Sequence, residues 1–218
     1  MTVERAGEDS VRVLHGGTLV AAGIRMPDGL ALELPDPVSI LEARAAGSRC
    51  RLRAHPEEHP FPACFVCGPD RAPGDGLHIL VGRVAGRDLS ADVWYPHETL
   101  AGSDGYVRPE FVWAALDCAG GIGALGGATG GPPYVLGRLS ARQIGPVKAG
   151  EPHIVVGWRL AEDGRKMTAG SALFTATGQA VGVARATWIR LGLSQVSRSR
   201  LTGAGCNARA ARPDKPGH

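Results

Sequence analysis

Asp117 is the only charged residue between Glu110 and Arg138. A carboxylate inside so apolar a run must be hydrogen-bonded, paired or close to water, because burying it alone is costly. The same property makes it a candidate general base or nucleophile. Glu110 stands seven residues earlier, two helical turns along the same face. Two carboxylates so placed could divide base and acid roles between them. Glu110 also suits the first turn of a helix simply by facing the macrodipole. Cys64 and Cys67 form one Cys-x-x-Cys. Two thiols fall short of the four ligands of a structural zinc, with His55, His59 and His78 the nearby candidates, and no metal is assigned. No helix pattern follows the pair to lower a thiol pKa for redox work. Cys118 is read as a small buried apolar residue facing away from Asp117.

Gly121, Gly123 and Gly126 fall in the spacing G-x-G-x-x-G, the pattern of a dinucleotide-binding loop. That loop needs a strand before its glycines and a helix after them. Here the order is inverted. The segment "PEFVWAALDCAGGIGAL" (109–125) is apolar all round the helical wheel, starts at Pro109 and ends in glycines and prolines that no helix can continue through. The glycines are therefore read as small residues that let a sheet or a second subunit approach the helix closely.

The elements that must position Asp117 follow from the same pass. "LHILVGRV" (77–84) and "LSADVWY" (89–95) read as strands before the helix. "YVLGRLSARQI" (134–144), "HIVVGWRLA" (153–161), "KMTAGSALFTA" (166–176) and "AVGVARATWIRL" (180–191) read as four strands after it, with hairpin-sized connections that predict a meander. Upstream, residues 11–35 read as strands and turns, with His15-Gly16-Gly17 as a turn. "VSILEARAA" reads as a short helix and "RCRLRA" as an alternating edge strand. A Pro/Gly-rich loop, "HPEEHPFPACFVCGPDRAPGDG", forms the clearest internal boundary. The division expected is a β-rich N-terminal extension over 1–60, a domain over 61–191 and a disordered basic tail over 192–218.

The chain has 218 residues and a formal net charge of +3. The tail concentrates that charge, in five basic residues against Asp214, so no basic domain face for nucleic acid is indicated. Five cysteines at irregular spacing do not form a disulfide framework. No signal peptide or spanning segment is evident, and a reduced, cytoplasmic, soluble protein is expected.

One buried helix followed by four antiparallel strands is the hotdog arrangement. Over roughly residues 61–191 the sequence resembles the hotdog-fold acyl-CoA thioesterases, the class of phenylacetyl-CoA and hydroxybenzoyl-CoA thioesterases. Four stretches carry the resemblance: "CFVCGPDRAPGDGLHI", "WAALDCAGG", "LSARQIGPVKAGE" and "DGRKMTAGSALFTATGQAVGVARATW". It implies an α+β hotdog fold, an antiparallel sheet wrapped around one central helix at about 109–125. It implies thioester hydrolysis to free acid and CoA, with Asp117 at the position of the family's catalytic carboxylate and Glu110 as a second carboxylate. It implies an acyl-CoA substrate, no cofactor, and a homodimer, with no nucleic-acid or membrane partner. Arg138, Arg142 and Lys148 suit the CoA phosphates and Trp113 the acyl pocket.

The sequence departs from the family in one place. The helix often opens there with His-Gly-Gly, nine residues before the acid. Here Arg108 holds that position, and the glycine amide is replaced by Pro109, which has no N–H, or Glu110. A non-catalytic acyl-CoA or lipid-ligand binder is the first alternative. A hydratase or dehydratase using Asp92 and His97, at the Asp-x4-His spacing of hotdog hydratases, is the second.

Overall fold

The computed structural model describes residues 1–26, 29–127 and 131–192. The reading of the tail as disordered and basic falls outside these residues from 193 onward. The described chain divides into two compact units, Met1–Glu33 and the remainder from Leu34.

The first unit is a three-stranded antiparallel sheet of β1 (Thr2–Gly7), β2 (Ser10–His15) and β3 (Thr18–Ile24) in sequential order. Its second turn is Gly16-Gly17, both at positive φ (54° and 80°), the conformation that a two-residue hairpin loop demands. His15 ends the strand before it, so the His-Gly-Gly here is a turn.

The second unit contains α1 (Ile40–Ser48), α2 (Arg51–Ala54), β4 (Gly82–Arg83), β5 (Ser90–Trp94), α3 (Pro109–Ala124), β6 (Tyr134–Gln143), β7 (His153–Asp163), β8 (Lys166–Thr175) and β9 (Ala180–Arg190). The six strands make one fully antiparallel sheet in the order β4-β5-β7-β8-β9-β6. Helix α3 packs across β6, β7, β8 and β9. A sheet wrapped around one central helix is the α+β hotdog fold.

Close backbone contact seats that helix. A Cβ on Gly123 would lie 2.6 Å from the carbonyl carbon of Gly157, and one on Gly121 would lie 2.8 Å from the Trp188 ring. Two glycines of the spacing that resembles a nucleotide loop thus form a contact stripe between helix and sheet, while the third, Gly126, lies past the helix end at φ 61°. Ser171 Oγ donates to the Leu116 carbonyl at 2.6 Å. Arg159, on β7, closes the far end of α3 by donating from Nε and Nη2 to the Ala124 carbonyl at 3.0 and 2.9 Å. It thereby satisfies one of the carbonyls that a helix C-terminus leaves open.

Three expectations are corrected. The strands after the helix are not one meander: β7, β8 and β9 are, but β6 pairs with β9, because β5 already occupies the free edge of β7. The segment between β6 and β7 does not turn straight back. Ile144 and Gly145 donate to the Val181 carbonyl, and Val107 donates to that of Val147. "RCRLRA" is helix α2 rather than an edge strand. Its alternation arises because Leu52 is buried while Arg51 pairs with Glu58 and Arg53 with Asp92. Of the strand expected over 77–84, only Gly82–Arg83 is one. His78 sits at φ 53°, and the donors on either side go elsewhere: Leu77 and Ile79 to the carbonyls of Phe65 and Val66, Leu80 to Asp92 Oδ2.

Candidate active site

Asp117 lies midway along α3, on the helix that the sheet encloses. Its Oδ1 is buried without a hydrogen-bond partner. Burial, and after it the negative charge of Cys64, push its pKa up to about 6. A carboxylate held in this way can exchange a proton near neutral pH.

The next turn of the helix lines a cavity of about 350 Å³, through Cys118, Gly121, Ile122 and Leu125. Phe61, Pro132, Pro133, Tyr134 and Trp188 complete a mainly apolar wall, with Glu58, His59 and Arg190 also on it. The size and lining suit the apolar part of a small ligand. Asp117 is four residues, or one turn, before Gly121, at the margin of this stripe.

The loop Phe61–Gly68 covers the helix here. Cys64 N–H donates to the Phe61 carbonyl at 2.9 Å and Gly68 N–H to the Cys64 carbonyl at 2.8 Å. A Cβ on Gly68 would collide with the backbone of Pro62 and Cys64, so glycine is needed at this close turn. The turn sets Cys64 Sγ 3.6 Å from Cys118 Sγ, and the sulfurs of Cys64, Cys67 and Cys118 all lie within 4.8 Å of one another. Hydrogen bonds from Cys118 and Cys67, with further N–H bonds from the backbone of Cys67 and Val66, hold the Cys64 thiol far below its usual pKa. Cys118 is pushed up by its contacts with Cys64 and Cys67 and by burial. Cys118 is therefore buried, as expected, but is part of a thiol cluster rather than plain packing.

His59 is 7% exposed. Its Nδ1 accepts the Phe61 N–H at 3.1 Å, while its Nε2 is buried without a partner. Burial lowers its pKa. A neutral ring that accepts at Nδ1 carries its proton on Nε2, which leaves an unused donor beside the cavity.

The other residues singled out from sequence lie elsewhere. Glu110 is exposed and pairs with Arg108 Nε at 3.3 Å, and burial and Cys64, not Glu110, account for the Asp117 shift. Trp113, Arg138, Arg142 and Lys148 are exposed and do not line the cavity. Arg138 borders a shallow depression with Asp163 and Lys166 on the sheet, and Lys148 pairs with Glu151 at 2.8 Å. Asp92 binds Arg53 Nη2 at 2.6 Å and the N–H groups of Leu80 and Val93 at 3.0 and 2.9 Å. His97 caps the turn Glu98–Leu100 through the Thr99 N–H. Asp92 and His97 are thus each engaged in supporting the fold. Sequence reasoning missed the cluster of three sulfurs and the free donor of His59. The Cys-x-x-Cys-Gly run was the one available signal, and nothing in the spacing tied it to Cys118.

No protein-family model matches the chain, and no curated protein matches it significantly. Solved structures do resemble it. A thioesterase superfamily protein superposes with a TM-score of 0.48 at 22% identity, over 57% of this chain and 61% of that one. The chain thus spans about three fifths of that protein's length. A Streptococcus mutans protein bound to acetyl-CoA gives 0.45 at 13% identity, over 51% and 89%. The PaaI protein of the E. coli phenylacetic acid degradation operon gives 0.42 at 10%, over 48% and 77%. No helix among the described residues is long and apolar enough to cross a membrane.

Proposed function

We propose that this chain is an acyl-CoA thioesterase that hydrolyses a thioester to free acid and CoA, with Asp117 as the general base or nucleophile. The observation that carries the reading is the unpartnered, buried Asp117 Oδ1 on the central helix, whose neighbours Cys118, Gly121 and Ile122 line an apolar cavity. As base, Asp117 takes a proton from a water as that water attacks the thioester carbonyl, and passes it to the departing CoA thiolate. As nucleophile, its oxygen displaces the CoA thiolate, which takes a proton from solvent, and water then hydrolyses the mixed anhydride to the free acid and Asp117. The Nε2–H of His59 is an unused donor for a developing oxyanion, a role that Pro109 cannot fill. In this reading the exposed Arg138, Arg142 and Lys148 meet the CoA phosphates outside the cavity, and Glu110 is a helix-entry carboxylate. The homodimer and the reduced, cytoplasmic setting belong to the same reading.

The absence of a glycine amide at Pro109 favours a second reading, an acyl-CoA binder without turnover. Thiol release across a panel of acyl-CoAs separates the two. Asp117→Asn should lower turnover about 100-fold or more while the protein stays folded. A folded Asp117→Asn protein with wild-type turnover would remove the catalytic assignment. Tight acyl-CoA binding by the wild type without thiol release would establish the binder.

A further inference from the structure

We propose that Cys64, Cys67 and Cys118 form a binding site for one zinc ion, with the fourth position of the tetrahedron open toward the cavity. The inference stands on the arrangement of the three sulfurs and does not depend on thioester hydrolysis.

Three observations support it. The first is distance. Zn–S bonds of about 2.3 Å at the tetrahedral angle set sulfurs about 3.8 Å apart. Cys64 and Cys118 stand 3.6 Å apart, and all three sulfurs lie within 4.8 Å of one another. The ion therefore fits with small rotations of side chains already in place.

The second is support around the ligands. Backbone N–H groups of Val66 and Cys67 bond to Cys64 Sγ and help to fix its position. Gly68 permits the tight turn that delivers Cys64 and Cys67 together. The loop is held in turn by Leu77 and Ile79, which donate to the carbonyls of Phe65 and Val66.

The third is the donor set. Three cysteine sulfurs lie close enough together to share one ion, and sulfur-rich sites select zinc among the common divalent metals. Cys67 and Cys118 both line the cavity, so the open position faces it, where water or a ligand sulfur or oxygen can complete the set. His59 does not coordinate, because its Nδ1 accepts the Phe61 N–H and Nε2 keeps the proton.

The test uses the full-length chain, purified under reducing conditions without chelator. Elemental analysis should find about one zinc per chain. Cys64→Ala and Cys118→Ala should each fall to less than about a tenth of that, while Cys50→Ala and Cys206→Ser should keep it. If the alanine variants do not fold, the wild type decides. Zinc removed by a chelator should restore on titration at a one-to-one ratio and should protect three thiols from a thiol reagent. Cobalt in its place should give the intense thiolate-to-metal band of tetrahedral sulfur coordination. Protein that stays metal-free after equilibration with zinc, with all three thiols reactive, would overturn the site. So would a Cys64–Cys118 disulfide in the wild type, or zinc that persists at full occupancy in folded Cys64→Ala and Cys118→Ala proteins.

Discussion

Gly123 of the central helix and Gly157 of strand β7 meet backbone against backbone: a Cβ on Gly123 would stand 2.6 Å from the Gly157 carbonyl carbon. Two effects oppose each other at this position. Alanine in a helix interior gains about 1 kcal/mol over glycine from propensity. Overpacking a tight contact costs about 1–3 kcal/mol or more. The neighbour here is backbone, which cannot rotate away. Gly123→Ala should therefore lower stability by about 2 kcal/mol, read from urea unfolding. A stabilised Gly123→Ala protein would show that helix and sheet are further apart than described.

Asp92 predicts a stability effect of a different kind. Its carboxylate is buried and joins Arg53 on α2 to the Leu80 and Val93 amides. Asp92→Ala should cost about 2–3 kcal/mol, since it leaves the Leu80 donor without a partner and Arg53 without its counter-charge. The Arg53 side chain is 41% exposed, so Arg53 itself can recover solvation. Arg53→Ala should therefore cost less than Asp92→Ala. Equal costs would mean that the ion pair, rather than the amide bonds, carries the contribution.

His153 gives a pH dependence. It is 3% exposed, and burial lowers its pKa below the ordinary 6.5 against the opposing Glu151 carbonyl. The unfolded ring binds a proton below about pH 6.5 while the folded ring resists it. The unfolded state thus holds more protons, so stability is complete above that pH and falls as the pH drops below it. The slope attributable to one such group cannot exceed about 1.4 kcal/mol per pH unit. His153→Asn should flatten the urea midpoint between pH 5 and 7 relative to wild type. An unchanged profile would show that His153 titrates alike in both states.

The cavity predicts ligand selectivity under the proposed function. Ile122 projects from α3 into its wall. Ile122→Trp should exclude roughly two methylenes of a long acyl chain, at about 0.8 kcal/mol each. Affinity for a long-chain acyl-CoA should then weaken about tenfold while that for acetyl-CoA holds, by calorimetric titration. Equal loss for both would place the acyl group outside this cavity.

What was legible in the sequence was what local pattern determines. Helix α3 follows from an apolar run bounded by Pro109 and by glycines that stop it, and the strands from 134 to 190 follow from runs of β-formers between turns. The inverted order of helix and glycines excluded a nucleotide loop, and the isolation of Asp117 among apolar residues marked it out. Even the role of Gly121 and Gly123 as a close-contact stripe could be read, because a small residue on a buried helix has few other uses.

Tertiary structure decided the rest, because it depends on where distant segments are brought. Whether Arg51–Ala54 coils or extends depends on Asp92, 39 residues from Arg53, and on burial of Leu52. The pairing of β6 with β9 depends on β5 occupying the edge of β7, which no local period encodes. Cys118 is separated from Cys64 by 54 residues, and only the packing of the Phe61–Gly68 loop onto α3 makes them neighbours. The same packing leaves Asp117 Oδ1 and His59 Nε2 buried without partners. Residue type announced that Asp117 could do chemistry. Desolvation and a nearby thiolate, both properties of the folded chain, raise its pKa into the range where it can.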